Sequence, residues 1–174
     1  MSTPETRTTP TNPALYTGPD LDTLLAEYAT EGRVDDQAPT QAAGAITIEA
    51  EPEQVWGLLA DVTRWPEIRA DIHDAETSGP AAAGRVFTWS AGPNRVESSF
   101  GAVEPGRLLT YVSAAPGATF ASVYRFEAEA PGRTLLTCRE SLAGPVAAEL
   151  VTSAVLQHGV DTWLAGIKML AEAS

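Results

Sequence analysis

The sequence predicts an α+β domain in which a curved antiparallel sheet wraps around one long C-terminal helix. Residues 45–49 alternate between apolar and polar, as a half-buried strand does, and they are followed by a segment in which apolar residues recur at helical spacing. Short strand-like segments come next, separated by turns that contain Gly and Pro, which is typical of an antiparallel meander. The last stretch, from about Val146 to Ala173, is amphipathic with a helical period. A sheet that wraps the final helix is the economical way to bury both apolar faces.

Charge limits the partners that this chain can bind. Its 174 residues are enough for one domain with its own core, and they carry 23 Asp and Glu against 11 Lys and Arg, a formal charge of −12. All the basic residues except Lys168 are arginines, and they form no basic stripe. Because binding phosphate groups needs clustered positive charge, we predict no nucleic-acid partner and no membrane partner.

Cysteine and histidine contents limit the chemistry. Cys138 is the only cysteine, which excludes an internal disulfide, and the only histidines are His73 and His158. One cysteine and two histidines are too few for a typical zinc site, so we predict a protein without a metal ion. We also predict that it needs no organic cofactor. The longest apolar runs are too short to span a bilayer, and Met1 leads into polar residues without the pattern of a secretion signal. We therefore expect a cytoplasmic protein.

The N-terminal region is predicted to lie outside the main domain. Residues 1–19, rich in Pro and Thr, are predicted to be a disordered tail. Residues 20–43 are predicted to form a short amphipathic helix, capped by Asp20 and ended by Gly32, and then a linker. This helix is an appendage without a role, a lid, or a surface that packs on a second subunit in a homodimer. The main domain then comprises residues 44–174.

Local signals place the helices of the main domain. Pro52 suits the first turn of a helix, and apolar residues recur at helical spacing up to Val62. Trp65 and Pro66 interrupt that pattern and begin a second short helix. The order is therefore one strand, two short helices, a run of antiparallel strands and one long helix.

Several short motifs in this order resemble a known family. They lie at residues 48–52, 55–56, 61–66, 84–87, 103–108 and 139–141. The chain resembles the helix-grip fold of the START-related (SRPBCC) superfamily, in its polyketide cyclase/dehydratase-like branch, over about residues 44–173. The resemblance implies a ligand cavity between the concave face of the sheet and the long helix. Members range from aromatase/cyclases to passive carriers of lipids and quinones, so the fold alone does not imply one activity.

Turn positions predict which strand residues face that cavity. We assume that each hairpin closes on its turn, with these pairs: Ala91–Asn94, Glu104–Arg107, Ala115–Ala118 and Ala130–Arg133. Residues paired across a ladder share a face, and alternate residues point to opposite faces. One face then collects nearly all the strand aromatics and is predicted to be concave, while Glu140 falls on the other face. The predicted ligand-binding residues are Phe87, Trp89, Ser98, Phe100, Ser113, Phe120, Ser122, Phe126 and Thr137, with Trp163 of the long helix.

One charged residue, Arg139, falls among these aromatics, across from Tyr124. A buried guanidinium must be paired, so Arg139 either finds a partner within the protein or anchors an anionic or enolate oxygen of a ligand. Tyr111 and Tyr124 share this face, where they either pack with locally satisfied hydroxyls or hydrogen-bond a ligand carbonyl and transfer a proton. His73 is either an exposed edge residue or a general acid or base at the cavity mouth.

These residues favour a cofactor-independent enzyme of the polyketide cyclase/dehydratase type, a lyase or isomerase in biosynthesis. Its cavity would hold an apolar oxygenated substrate in a reactive shape for ring closure or dehydration. The predicted catalytic residues are Arg139, Tyr124, Tyr111 and His73. A non-catalytic carrier of a hydrophobic ligand would use the same cavity and is the alternative. A co-chaperone would need a filled interior and an exposed apolar patch, and the polar outer face of the sheet counts against it.

Overall fold

A seven-stranded antiparallel sheet forms the body of this protein in a computed structural model that describes residues 16–173. The strands are β1 Thr40–Ile48, β2 Ile72–Thr77, β3 Val86–Ala91, β4 Asn94–Glu104, β5 Leu108–Ala115, β6 Ala118–Ala130 and β7 Arg133–Ala143. From β2 to β7 each strand lies beside the next, and β1 pairs with β7. This is the meander that the turn signals predict, with the first strand added at its far edge.

Five α-helices accompany the sheet in the part of the chain that is described. They are α1 Leu21–Thr23, α2 Pro52–Ala60, α3 Trp65–Ile68, α4 Pro145–Leu150 and α5 Ser153–Glu172. The predicted single terminal helix is in fact two, because the chain is extended between them and Thr152 caps α5 by accepting a hydrogen bond from Val155 N at 3.2 Å. Among residues 16–173, no helix is both long and apolar enough to cross a membrane.

The sheet and α5 meet at an aromatic cluster around Trp65 of α3. The Trp65 ring lies 5.3–5.5 Å from four other rings, those of Phe87, Trp89, Tyr111 and Trp163. These rings come from α3, two strands and α5, so one cluster joins the sheet to the terminal helix. Edge-to-face aromatic contacts of this kind stabilise a core beyond their buried area alone. The helix-grip fold predicted from the sequence is therefore confirmed.

A bulge in β6 changes the phase of β7. The turn pair Ala130–Arg133 forms as predicted, but the next pair is Ala128–Thr134, so Glu129 is an extra residue on β6. An extra residue on one strand moves every later partner to the other face. Cys138, and not Arg139, therefore lies opposite Tyr124.

The predicted concave position of two β7 residues is wrong for this reason. Arg139 is exposed on the outer face, and Thr137 points the same way, opposite Arg125. Glu140 takes a concave position instead, opposite Ser122. At the β4–β5 turn the predicted pair Glu104–Arg107 does not form, because Glu104 pairs with Leu108. A second bulge, between Phe100 and Val103 of β4, then restores the predicted register, so the predicted faces of β5 are unchanged.

The N-terminal helix, a name used here for residues 21–31, packs on the outer face of the sheet. Leu24 and Ala29 are buried against Val112 and Val123 in a second, smaller apolar cluster. The Thr110 hydroxyl donates to the Ala29 carbonyl at 2.6 Å, which fixes the end of the helix on β5. The predicted lid role is therefore wrong, because this face lies opposite the ligand side.

The predicted start of the main domain also changes. β1 begins at Thr40, so residues 40–43 belong to the sheet and not to a linker. Most of the predicted tail, residues 1–15, lies outside the described residues. Of its last four residues, Tyr16 donates its hydroxyl to Asp35 Oδ2 at 2.6 Å.

Candidate functional site

A cavity of about 420 Å³ lies between the concave face of the sheet and α5. This volume is within the range of small-molecule sites in proteins. Seven residues that the sequence assigns to the site line it: Trp89, Tyr111, Ser113, Phe120, Ser122, Tyr124 and Trp163. They come from three strands and α5, so the fold brings together side chains that are distant in the sequence.

The cavity reaches the surface at the end formed by two hairpin turns and α4. Its lining includes Asn94, the first residue of β4 after the β3–β4 turn, Pro116 of the β5–β6 turn, and Val146 and Leu150 of α4. Leu150 is 71% exposed, which is high for a leucine. The rim is therefore apolar as well as the interior.

Other residues assigned to the site lie behind the cavity wall in the packed core. Phe87, Phe100 and Phe126 are buried on the concave side but do not line the cavity. Ser98 does not line the cavity but contacts two residues that do: its Oγ lies 2.6 Å from Ser113 Oγ and accepts a hydrogen bond from Trp89 Nε1 at 3.0 Å. These residues hold the wall and make no contact with the cavity.

His73 lies outside the cavity, so its predicted position at the mouth is wrong. It pairs with Ser90 on the outer face, and its side chain is 54% exposed. Nε2 lies 2.9 Å from the Gly92 carbonyl and Nδ1 lies 2.8 Å from Asp74 Oδ2. The Gly92 carbonyl, followed by Asp74, raises the pKa of His73 because both favour the protonated ring.

Glu140 is the group that the sequence analysis missed. It lines the cavity from β7, and its Oε1 accepts a hydrogen bond from the Ser122 hydroxyl at 3.2 Å. Removal of the carboxyl from water raises the pKa of Glu140 to about 7, against the lowering influence of Ser122, Arg69 and Tyr124. A carboxyl with this pKa exchanges protons readily at neutral pH.

Two tyrosine hydroxyls lie beside this carboxyl. Tyr111 and Tyr124 are stacked with ring centroids 6.0 Å apart, and their hydroxyls are 3.4 Å from each other. Burial raises the pKa of both tyrosines, so both stay protonated at any ordinary pH. They can donate hydrogen bonds to a ligand oxygen and cannot serve as bases.

Arg69 is the second charged residue that lines the cavity. Its guanidinium is engaged with Asp71, with Nε 2.5 Å from Oδ1 and Nη2 3.3 Å from Oδ2. It also lies 5.9 Å from the centre of the Trp163 ring. No signal in the sequence pointed to Arg69, which directly follows α3, a short helix that packs against α5 and β2.

A sequence signal for Glu140 did exist. Leu136, Cys138 and Leu142 alternate with more polar residues, so the apolar side of β7 is the one that includes Glu140. Phasing each strand by its own hydrophobic alternation, as well as by its turn, would have revealed the conflict at Arg139.

A family comparison agrees with this fold and cavity. The sequence model of the family described as "Polyketide cyclase / dehydrase and lipid transport" matches residues 39–172. The chain belongs to this family. The match begins just before β1 and ends at the end of α5, so the N-terminal helix lies outside the family's common region.

Several solved structures share this fold at low sequence identity. A hypothetical protein from Helicobacter pylori is 14% identical with a TM-score of 0.68, covering 79% of this chain and 91% of that one. An aromatase/cyclase from a Streptomyces species is 20% identical, with a TM-score of 0.63 and coverage of 76% and 93%. A START superfamily protein from Mycobacterium smegmatis is 9% identical, with a TM-score of 0.63 and coverage of 76% and 97%. Such identities support the fold alone. The comparison with curated proteins found no match.

Proposed function

We propose that this protein is a cofactor-independent enzyme of the polyketide cyclase/dehydratase type. It holds an apolar, oxygenated small molecule in the cavity and catalyses ring closure or dehydration there. One observation carries the proposal: Glu140, a carboxyl with a pKa near neutrality, lies beside two protonated tyrosines in a largely apolar cavity. Perturbed carboxyls in clefts are typical of general acid–base sites.

Dehydration of a β-hydroxy ketone shows how these groups would act. The Glu140 carboxylate removes a proton from the carbon between the carbonyl and the hydroxyl-bearing carbon. The C–H electron pair becomes the new C=C bond, the C–O bond breaks, and the proton now on Glu140 leaves with the hydroxyl as water. A hydroxyl of the Tyr111–Tyr124 pair donates a hydrogen bond to the enolate oxygen while negative charge develops on it.

Ring closure would use the same first step. The carbanion formed by Glu140 attacks a second carbonyl carbon of the folded substrate, a C–C bond forms, and the resulting alkoxide takes the proton back from Glu140. The walls around Trp89, Phe120 and Trp163 would restrict the substrate to folded shapes in which the two carbons lie close. An apolar ligand would also displace water from Glu140 and raise its pKa further.

The proposal is tested with a tetralone that carries a hydroxyl on the carbon β to its carbonyl. Loss of water from this compound, followed by tautomerisation, gives naphthol, which is detected by its fluorescence. We expect the full-length protein to accelerate the reaction and Glu140→Gln to lower kcat/KM by about a hundredfold or more, since a general base contributes that much. The matched control is Glu97→Gln, an exposed carboxyl on β4, which should react at the wild-type rate. Equal rates in wild type and Glu140→Gln would exclude this role.

A carrier of a hydrophobic ligand is the second candidate, and the apolar rim favours it. Leu150 and Val146, which both line the cavity, are 71% and 43% exposed. Such a rim would let an apolar ligand pass from another apolar surface into the cavity. A carrier would bind the tetralone without converting it, and Glu140→Gln would change only its affinity.

The remaining predictions about this protein concern its surroundings. The cytoplasmic location, the homodimer and the absence of a cofactor stay predictions from the sequence.

Arg139 and His73, on the outer face, are no longer proposed as catalytic groups, and Glu140 takes the place of Arg139.

A further inference from the structure

The charges around the cavity restrict the ligand that it can hold. Among residues 16–173, two of those that line the cavity are charged, Arg69 and Glu140. Nε and Nη2 of Arg69 donate hydrogen bonds to the Asp71 carboxylate, and Arg139 lies on the outer face of the sheet. The Glu140 carboxyl thus has no cationic side chain bonded to it, and a ligand anion placed beside it would meet a like charge at low dielectric.

Glu140 can, however, accept a hydrogen bond from a neutral ligand. An ionised carboxylate accepts up to about four hydrogen bonds, and the Ser122 hydroxyl supplies one to Oε1. Part of the Glu140 side chain remains accessible because it lines the cavity. A ligand hydroxyl beside it would therefore be bound in preference to a ligand carboxylate.

The four tryptophans identify a second polar position. Three indole N–H groups donate within the protein: Trp56 to the Leu108 carbonyl, Trp65 to the Leu59 carbonyl and Trp89 to Ser98 Oγ. Among the described residues, Trp163 Nε1 is the one buried side-chain nitrogen or oxygen without a hydrogen-bond partner.

An unsatisfied buried donor is costly, and this one belongs to a ring in the cavity wall. Nε1 is almost completely buried, so the ring must tilt towards the cavity to reach a ligand. An acceptor oxygen on the ligand would then satisfy a donor that the protein leaves without a partner.

We propose that the ligand of this cavity is an uncharged ring compound that offers a hydroxyl to Glu140 and a carbonyl oxygen to Trp163 Nε1, and that the cavity rejects anionic analogues. This inference deepens the proposed function, since it rests on the same cavity as the substrate site. It applies equally to an enzyme and to a carrier, because it concerns recognition and not turnover.

Four compounds on one two-ring skeleton test the inference with the full-length protein. They are a tetralone with an aromatic hydroxyl meta to its carbonyl, tetralone itself, the corresponding hydroxytetralin, and the tetralone with a carboxylate in place of the hydroxyl. Affinities are measured by calorimetry just above the pKa of Glu140. We expect the hydroxytetralone to bind best, with about a fivefold loss on removing either oxygen and at least a tenfold loss for the carboxylate.

The indole signals in a ¹H–¹⁵N correlation spectrum report on Trp163 directly. Trp163→Phe identifies its signal, and the three other indole signals show that the variant is folded. The ketones should move the Trp163 signal downfield, as a new hydrogen bond does, whereas hydroxytetralin should not. Trp163→Phe should lose the preference for ketones over hydroxytetralin. The matched control Trp56→Phe should keep that preference, since Trp56 does not line the cavity and its N–H is already bonded to the Leu108 carbonyl.

Glu140→Gln tests the charge rule separately, and it should raise the affinity for the carboxylate about tenfold while the ketone preference persists. If the compounds bind without discrimination and the Trp163 signal stays in place, the inference is overturned while the cavity remains a ligand site. If none of the four binds, both the inference and the proposed function are overturned.

Discussion

Glu140 and Ser122 face each other across the ladder between β6 and β7, and the Ser122 hydroxyl donates to Glu140 Oε1 at 3.2 Å. This pair places a carboxyl inside an otherwise mostly apolar cavity, where the Ser122 hydroxyl is one of its hydrogen-bond donors. Burial therefore raises the pKa of Glu140 to about 7. The protein keeps a group that costs stability when it ionises, as expected where a group is retained for function.

The stability of the protein should depend on pH through Glu140. Its pKa is about 7 in the folded chain against 4.5 ordinarily, so the folded state binds the proton more tightly than the unfolded state. Below pH 4.5 both states are protonated and ionisation costs nothing. Between pH 4.5 and about 7 the unfolded state has released the proton that the folded state keeps, so stability falls as pH rises, and the loss is complete once the buried carboxyl has ionised. Glu140→Gln removes the charge, so it should stabilise the protein by about 1–3 kcal/mol at pH 8. Near pH 4 it should leave the free energy of unfolding unchanged.

Urea unfolding at both pH values measures this difference, with Glu97→Gln as the exposed control. The groups around Glu140 are Arg69, Tyr124, Tyr111 and Cys138. The tyrosines and Cys138 have raised pKa values and stay neutral across this range. A variant that is equally stabilised at low and high pH would show that packing, and not ionisation, is responsible.

Arg139→Met should leave ligand binding unchanged. The side chain is exposed on the outer face of β7, one residue from Glu140 but on the opposite side of the sheet. We expect tetralone affinity within about twofold of wild type and a free energy of unfolding within about 0.5 kcal/mol. Calorimetry and urea unfolding check both values. A large loss of affinity would restore Arg139 to the cavity and contradict the β6 bulge.

Two glycines of α5 should respond oppositely to alanine. A Cβ at Gly159, which lines the cavity, would meet no atom within 4 Å, whereas a Cβ at Gly166 would lie 2.3 Å from the Ile68 carbonyl oxygen. Gly159→Ala should therefore stabilise the protein by about 0.5–1 kcal/mol through helix propensity, and Gly166→Ala should destabilise it by about 1–3 kcal/mol through overpacking.

Thermal unfolding of the two variants measures this contrast. A larger residue at the open position extends the test to binding, since Gly159→Leu should fill part of the cavity and weaken tetralone binding about tenfold or more. Tight binding to a stable Gly159→Leu protein would mean that the ligand binds elsewhere.

Leu24→Ala should reduce stability without changing ligand affinity. Leu24 is buried in the smaller apolar cluster on the outer face, so its truncation leaves a cavity there and should cost about 2–4 kcal/mol. The ligand cavity lies on the other side of the sheet, and tetralone binding to the folded variant should stay within about twofold. Weaker binding by a folded variant would indicate that the N-terminal helix does act on the site.

Local signals in the sequence predicted much of the fold correctly. Pro52 begins α2, and Gly32 ends the N-terminal helix in a left-handed conformation with φ of 71°. The turns pair Ala91 with Asn94 and Ala115 with Ala118 as expected. Each of these features depends on the conformational preferences of a few neighbouring residues, which the sequence displays directly.

The chemistry of the site depended on features that no short stretch displays. The Glu129 bulge lies in the β6–β7 ladder, between strands that are distant from β1 in the sequence but belong to the same sheet, and it exchanges Arg139 for Glu140 inside the cavity. The cavity therefore contains the acidic Glu140 in place of Arg139, which the sequence predicted to bind an anionic ligand oxygen.

The sequence by itself determined the fold class, the order of the strands and the apolar character of the concave face, because hydrophobic period and turn chemistry are local. Only the tertiary structure decided the sign of the charge in the cavity and the orphaned N–H of Trp163. Both depend on contacts between residues far apart in the chain, where a shift of one position in register moves every following side chain to the opposite face.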